Sequence, residues 1–393
     1  MMSVKPRILL VIEGTYPWYR GGVSEWVYQY ITAFDHVAFT IVQIATDEFQ
    51  YTALDEALYN VPDHVTRFIR IPPPDISQDW EQDSSKWLQE HQEKMAHAFD
   101  EADCVHIANT GFAGWLGMTL AAKSGKPLIL TEHALYWKEV KMGAVALECG
   151  YKIPDHKTGK LYITTLFKGI ASSVYKAADE VISVSECNIS EQESLGAQQV
   201  QYIPNGVGAD WIKAGKSRSK TFTVGWIGRC AEMKNPLRFF EFFNAVDIEA
   251  KGLMMLSDAG EDQLKRRVKK RAEEYANIEL VWNRPAAERI DEMDALCITS
   301  HNESQPLVLF EALSRQVLPV GWQIGDVSEK YAVVVEPQSP VEELAKKITT
   351  LWEYQPRWQS ELAKRFAEFK KYHTWQAIFD QYNSVLEPYL KTS

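Results

Sequence analysis

In the stretch Ser300-His301-Asn302-Glu303-Ser304-Gln305-Pro306-Leu307-Val308-Leu309-Phe310-Glu311-Ala312-Leu313, two carboxylates stand eight positions apart. If a helix begins near Pro306, a residue suited to a first helical position, Glu303 lies in the loop before it and Glu311 two turns in. Backbone donors of Ser304, Gln305 and Leu307, on either side of Pro306, would point at a ligand. Glu311, inside an apolar segment, needs a partner such as ribose hydroxyls; a carboxylate buried for structure alone is the other reading. A second stretch, Gly225-Trp226-Ile227-Gly228-Arg229-Cys230-Ala231-Glu232-Met233-Lys234-Asn235-Pro236, puts Arg229 and Lys234 between a strand end and a helix start. Two cations there could offset the charge of a departing diphosphate, against the plainer alternative of surface residues.

The run Glu13-Gly14-Thr15-Tyr16-Pro17-Trp18-Tyr19-Arg20-Gly21-Gly22-Val23 carries a glycine pair before a helix. Gly21 and Gly22 could let backbone N–H groups approach a phosphate or sugar, or could serve a tight turn alone. His106 and His133 close two strands, in Val105-His106-Ile107 and Thr131-Glu132-His133, and each could be a general acid–base group or a satisfied structural histidine. The sequence contains no D-x-D, no H-E-x-x-H and no C-x-x-C. Chemistry without metal or cofactor is therefore expected.

These residues need a scaffold, and the pattern supplies one. Strand-like runs at Arg7 to Ile12, Ala38 to Ile44, Val65 to Ile71, Cys104 to Ile107, Pro127 to Leu130, Glu180 to Val184 and Val200 to Ile203 alternate with helical stretches. Those helices are expected at about Val23 to Phe34, Glu81 to Glu101 and Leu161 to Ala178. The alternation restarts with strands at Phe222 to Ile227, Gly252 to Leu256, Ile278 to Trp282, Ala295 to Thr299, Val317 to Val320 and Ala332 to Val335. Two doubly wound α/β domains follow, 1–205 and 221–372, with a linker at Pro204 to Gly208 and Lys213 to Lys220. The tail from Val341 to Leu390 reads as three helices broken near Pro356 and Tyr372, the last of them, 373–393, returning to the first domain. The stretch Tyr136 to Lys160 has little period and is either a substrate loop or a surface excursion. Ligands in such sheets sit beyond the strands' carboxyl ends, where two facing domains would form a cleft.

Composition bounds the partners. A chain of 393 residues exceeds what one core usually supports, so two domains are expected. The net charge of -11 argues against nucleic acid as a partner. The basic run from Lys265 to Arg271 reads as a solvated helix face in preference to contact with an anionic membrane. No apolar stretch reaches the roughly 18 residues of a membrane span, the first residues do not resemble an export signal, and five isolated cysteines suit a reducing cytoplasm.

Glu13-Gly14-Thr15-Tyr16-Pro17 with Gly21-Gly22-Val23-Ser24, Thr131-Glu132-His133, Ile203-Pro204-Asn205-Gly206-Val207 and Gln305-Pro306-Leu307-Val308-Leu309-Phe310-Glu311-Ala312 together resemble the retaining GT-B glycosyltransferases of family 4. Within that family the resemblance is to the branch serving Pel exopolysaccharide assembly. It covers nearly the whole chain, and the Glu303–Glu311 spacing is its most specific part. The resemblance implies a nucleotide diphosphate sugar as substrate, a uridine base favoured, and a glycan or lipid-linked acceptor. It also implies that Arg229 and Lys234 hold the diphosphate, that Gly22 approaches it, that Glu311 binds the ribose, and that Glu303 lies near the donor sugar. The leaving phosphate oxygen would help deprotonate the acceptor on the same face, so that configuration is retained. Peripheral contact with a membrane or an assembly complex is a further expectation. Three positions depart from the family: Ser304 where glycine is usual, Gln316-Val317-Leu318 where Ala-Gly precedes the next strand's proline, and Ala108 where many relatives carry a second histidine. Which histidine lies on the catalytic side is thus left open. Competing readings are a nucleotide-sugar epimerase on the same scaffold, which changes the donor without acceptor, and a noncatalytic subunit of a polysaccharide assembly complex. A two-lobed sugar-binding protein would need an export signal and more crossovers.

Overall fold

Short runs rich in Val, Ile and Leu become strands, the central ones buried on both faces, and in the computed structural model every ladder between them is parallel. The structure describes residues 5–14, 16–18, 21–45, 54, 57–74, 84–91, 95, 101–142, 157–213, 215 and 220–391. The chain divides into two units, 1–203 with 379–393, and 204–378.

The first unit holds β1 (Arg7–Glu13), α1 (Gly22–Ala33), β2 (Ala38–Ile44), β3 (Val65–Ile71), a helical stretch at 84–91, β4 (Cys104–Ile107) and α2 (Phe112–Ser124). It continues through β5 (Leu128–Glu132), α3 (Tyr136–Met142), α4 (Lys157–Ala177), β6 (Glu180–Ser183), α5 (Ile189–Ser194) and β7 (Val200–Tyr202). Its seven strands lie in the order β3-β2-β1-β4-β5-β6-β7. One face packs Leu9, Val11, Val105 and Ile107 against α2 and α4. On α1, Trp26 and Tyr30 stack with ring centroids 5.0 Å apart, and Tyr382 from the chain's end lies 6.0 Å from Trp26.

Helix α2 corrects the expected pattern, which left 112–124 unassigned. Gly114 and Gly117 would ordinarily argue against a helix, but a Cβ at Gly117 would come within 2.2 Å of Ile107 Cγ2, and one at Gly114 within 2.6 Å of the Asn109 carbonyl. The glycines let the helix press onto β4. The stretch expected to be a loop from Tyr136 to Lys160 opens with α3 and ends in the first turn of α4; 143–156 lie outside the described residues. The expected helix at 81–101 is seen at 84–91, most of the remainder being likewise outside.

The second unit holds β8 (Phe222–Arg229), α6 (Pro236–Asn244), β9 (Ala250–Ser257), α7 (Asp262–Ala272), β10 (Ile278–Trp282) and β11 (Ala295–Ile298). It continues through α8 (Leu307–Ser314), β12 (Leu318–Trp322), β13 (Val333–Val335), α9 (Val341–Glu353), α10 (Gln355–Tyr372) and the start of α11 (Trp375–Leu386). The strand order β10-β9-β8-β11-β12-β13 again reverses beside the unit's first strand. Phe222, Val224 and Trp226 face one apolar layer, while Leu253, Met255, Leu296 and Ile298 face the other, so both sides of the sheet are covered.

Three expectations can be set against the structure here. The expected linker starts at the boundary between the units, Pro204, and is anchored to the second unit: Val207 is buried, its N–H bonds the His373 carbonyl at 2.9 Å, and it bridges in parallel to Thr374. Of 213–220, residues 214 and 216–219 lie outside the described part. The tail breaks where expected, at Tyr354 close to Pro356 and again after Tyr372, with Pro356 inside the first turn of α10, where its missing N–H costs nothing. Residues 373–378 belong to the second unit, where His373 is buried with its ring 4.0 Å from that of Phe310.

The basic run forms the outer face of α7: Leu264 and Val268 face the core, while Lys265, Arg267 and Arg271 pair with Asp258, Glu232 and Glu274. This is a solvated, ion-paired helix face. Among the described residues no helix is long and apolar enough to cross a membrane.

Candidate functional site

In an open parallel sheet, a ligand crevice opens where the strand order reverses, beyond the carboxyl ends. In the second unit that point lies between β8 and β11, which are hydrogen-bonded neighbours. Arg229 ends β8 and is half-buried. Lys234 follows in a short turn, and its Nζ donates to Glu303 Oε1 at 2.6 Å. Glu303 also accepts from Ser300 Oγ at 2.6 Å. The two loops are joined in their backbones too: the His301 N–H donates to the Met233 carbonyl at 2.8 Å, and Thr299 Oγ1 lies 3.0 Å from the Lys234 carbonyl and 2.8 Å from the Asn235 carbonyl. The Lys234 and Glu303 side chains are 21% and 9% exposed, so the pair is screened little by solvent while remaining open to a ligand.

The loop carrying Glu303 is held from beneath. Gly325, at φ +54, lies so close that a Cβ there would stand 2.0 Å from the Glu303 carbonyl and 2.6 Å from that of Ser304. The Asp326 N–H donates to the Ser304 carbonyl at 2.9 Å. Gln305 is buried and spoken for at both ends, its Nε2 donating to Asp326 Oδ2 at 2.7 Å and its Oε1 accepting from the Asn205 N–H at 2.5 Å. Its side chain therefore clamps the loop and does not reach for a ligand. Pro306 is the residue before α8, not its first helical position, and no side chain caps that end. The backbone donors of the first turn, beginning with Leu307, and the positive end of the helix dipole are thus set beside Ser304. Glu311 is half-buried, less enclosed than its apolar surroundings suggest. At the far end of α8, Gln316 adopts φ +58 where a left-handed residue is required.

In the first unit the reversal falls between β1 and β4. Gly21 precedes α1 in extended backbone, φ −173, and both Gly21 and Gly22 are exposed. His106 is fully buried, with Tyr30 Oη 2.9 Å from Nδ1 and Thr131 Oγ1 2.9 Å from Nε2. Burial, with His133 nearby, lowers its pKa to about 3. A neutral ring satisfied at both nitrogens and closed to solvent is a structural residue, which corrects its candidacy as a catalyst. His133 keeps part of its surface exposed, but its Nε2 is buried and without a hydrogen-bond partner among the described residues, and its ring packs 4.8 Å from that of Trp26. Burial lowers its pKa to about 3 as well. Neutral at physiological pH, His133 could accept a proton only weakly.

Sequence reasoning passed over two carboxylates at strand ends. Glu13, at the end of β1, is 5% exposed and accepts from the Ala113 N–H at 2.9 Å; burial raises its pKa to about 7. Glu132, at the end of β5, is fully buried, accepts from Thr110 Oγ1 at 2.5 Å, Gln192 Nε2 at 2.8 Å and Tyr175 Oη, and is likewise raised by burial to about 7. The signal was present: each is an acidic residue ending an otherwise apolar strand.

Two family descriptions match the chain. Residues 221–354 match the family described as Glycosyl transferases group 1, and residues 6–99 and 86–200 match one described as a domain of unknown function, DUF3492. Among solved structures, HepE of Anabaena, in complex with UDP and glucose, is 14% identical at a TM-score of 0.72, covering 98% of this chain and 100% of its own. Sucrose-phosphate synthase of Thermosynechococcus elongatus is 16% identical at a TM-score of 0.76, covering 98% of each chain. A glycosyltransferase of Rickettsia africae is 16% identical at a TM-score of 0.66, covering 99% of this chain and 100% of its own. No curated protein matches the sequence. The structural likenesses establish the fold as GT-B, two parallel-sheet Rossmann-like domains. With a glycosyl transferases group 1 domain filling the second of them, the chain is a glycosyltransferase.

Proposed function

We propose that the chain transfers a sugar, with retention of configuration and without a metal or cofactor, from a nucleotide diphosphate sugar to a glycan or lipid-linked acceptor. The observation that carries this reading is the half-buried Lys234–Glu303 pair at the β8–β11 reversal, with Arg229 at the carboxyl end of β8. Two cations and the dipole end of α8 suit a diphosphate leaving group, whose negative charge grows as the sugar departs. Lys234 serves as the point charge, Arg229 as the planar fork, Ser304 and Leu307 as further donors, and Glu311 as acceptor for ribose hydroxyls. Glu303 stands near the donor sugar. The exposed Gly21–Gly22 turn offers additional backbone donors to phosphate. UDP-sugars are favoured as donors, because HepE is known in complex with UDP-glucose and with UDP. The assigned setting is the cytoplasm, in polysaccharide or glycoconjugate assembly of the Pel type, as the sequence resemblance implies.

The test is a thermal-shift series with UDP-, GDP-, ADP- and TDP-glucose in EDTA, followed by NMR of the product's anomeric configuration. UDP-glucose should raise the melting temperature, since it binds the folded state alone, and Arg229→Ala should abolish the shift. A chain that responds to none of the donors is not a transferase of this kind.

A further inference from the structure

The loop after β1 joins α1, β3 and the segment before β3 in an aromatic group that the donor site does not use. Tyr16, Trp18, Tyr28, Tyr59 and Phe68 touch in sequence: Tyr28 on α1 lies 5.3 Å from Tyr59, Tyr59 lies 5.9 Å from Tyr16, Tyr16 lies 6.5 Å from Phe68, and Phe68 meets Trp18 edge-on at 5.8 Å. The Arg70 guanidinium sits 5.8 Å over the Trp18 ring. Tyr16 is buried, while Trp18, Tyr28, Tyr59 and Phe68 each keep part of their surface open. The Tyr16 hydroxyl finds no hydrogen-bond partner among the described residues.

The group is fixed in place. Gln43, fully buried on β2, donates to the Gly14 carbonyl at 2.8 Å and to that of Tyr16. The Pro17 carbonyl accepts from the N–H groups of Leu58 and Tyr59, at 3.0 and 3.1 Å. Phe68 and Arg70, two apart on the edge strand β3, project from one face.

We propose that these rings form a platform on which sugar rings of the acceptor stack, with Arg70 beside it as a donor to ring hydroxyls. The inference rests on the transferase reading, and deepens it by assigning an acceptor subsite within the first unit. Flat rings carrying phenolic tips match a sugar, which presents C–H faces and hydroxyl edges together. A membrane surface is the competing occupant, because Leu58 nearby is 61% exposed. The net charge of -11 disfavours an anionic bilayer, and the interlocked, half-buried tyrosines favour the sugar.

The test uses the full chain with maltohexaose, cellohexaose and chitohexaose, read by saturation-transfer NMR and tryptophan quenching. At least one should bind, about fivefold to tenfold more weakly in Trp18→Ala and in Tyr28→Ala, with Trp18→Phe restoring binding and circular dichroism confirming a folded chain. The thermal shift with the four nucleotide sugars is measured on the same samples. Glycan binding without a shift from any of the four would refute the transferase reading and keep the platform; a shift from any of them without glycan binding, or with binding unchanged in the alanine variants, would overturn the platform alone. Binding instead to phosphatidylcholine–phosphatidylglycerol vesicles, lost in Leu58→Ser, would overturn it in favour of a membrane surface.

Discussion

If Lys234 is a diphosphate ligand, Glu303 competes with the donor for it. The pair is 2.6 Å long, with side chains 21% and 9% exposed. That places it between an exposed ion pair, worth at most about 1 kcal/mol, and a fully buried one, whose disruption costs about 3–5 kcal/mol. A net value of about 1–2 kcal/mol follows, and Glu303→Gln, which keeps the shape and the hydrogen bond from Ser300, should return most of it to the ligand. UDP should therefore bind about fivefold to thirtyfold more tightly to Glu303→Gln, while turnover on UDP-glucose falls. Isothermal titration of UDP against wild type, Glu303→Gln, Lys234→Ala and the double variant reads this out. Lys234→Ala should weaken UDP, and adding Glu303→Gln to it should gain nothing further. Weaker UDP binding in Glu303→Gln, or the same gain with and without Lys234, would refute the competition.

Other outcomes follow from the same structure. Gly325→Ala should cost more than about 2 kcal/mol and most of the turnover, since a Cβ 2.0 Å from the Glu303 carbonyl must displace the loop and φ +54 is itself strained for alanine; a thermal melt and an activity assay check it. Gln316→Gly should stabilise by about 1 kcal/mol, or about 2–4 °C, by relieving the left-handed turn at φ +58. Glu13 and Glu132, raised to about 7, favour the protonated folded state: their contribution is complete below an unfolded pKa of about 4.5 and is lost as pH rises through about 7, at about 3 kcal/mol each. Melting temperature should thus fall from pH 6 to 8, and by about half as much in Glu132→Gln. His106 and His133, lowered to about 3, act oppositely, their stability being present above about 6.5 and lost as pH falls towards 3; an acid melt that His106→Gln leaves unchanged would contradict this.

Much of the fold was legible because a parallel sheet covered on both faces spells its strands as short runs dominated by apolar and β-branched residues. The bounds of β2, β3, β4 and β10 coincide with the runs that predicted them. Helix α2 escaped because its glycines serve contact with β4, a tertiary reason that outweighs propensity. In the site, the sequence brought Arg229, Lys234 and Glu303 to neighbouring loops, but the ion pair depends on the β8–β11 adjacency, which local pattern does not encode. The clamp made by the Gln305 side chain was not legible for a similar reason: its partners, Asn205 and Asp326, are 100 and 21 residues away. His106 looked like a catalyst because strand-end position says nothing of what fills the space around a ring.

Gln305 has a mechanical consequence. Its two hydrogen bonds connect the first residues of the second unit, at Asn205, to the segment after β12, at Asp326, and the peptide between those anchors is the one that presents Glu303 and Ser304. His373 braces the same point, its Nδ1–H donating to the Asn205 carbonyl at 2.9 Å while Nε2 accepts from Tyr331 Oη at 2.9 Å. Tension applied to the chain at 204–207 is therefore delivered to the carboxylate beside Lys234 through a single amide side chain, a lever arm that the one-methylene shortening Gln305→Asn would disconnect.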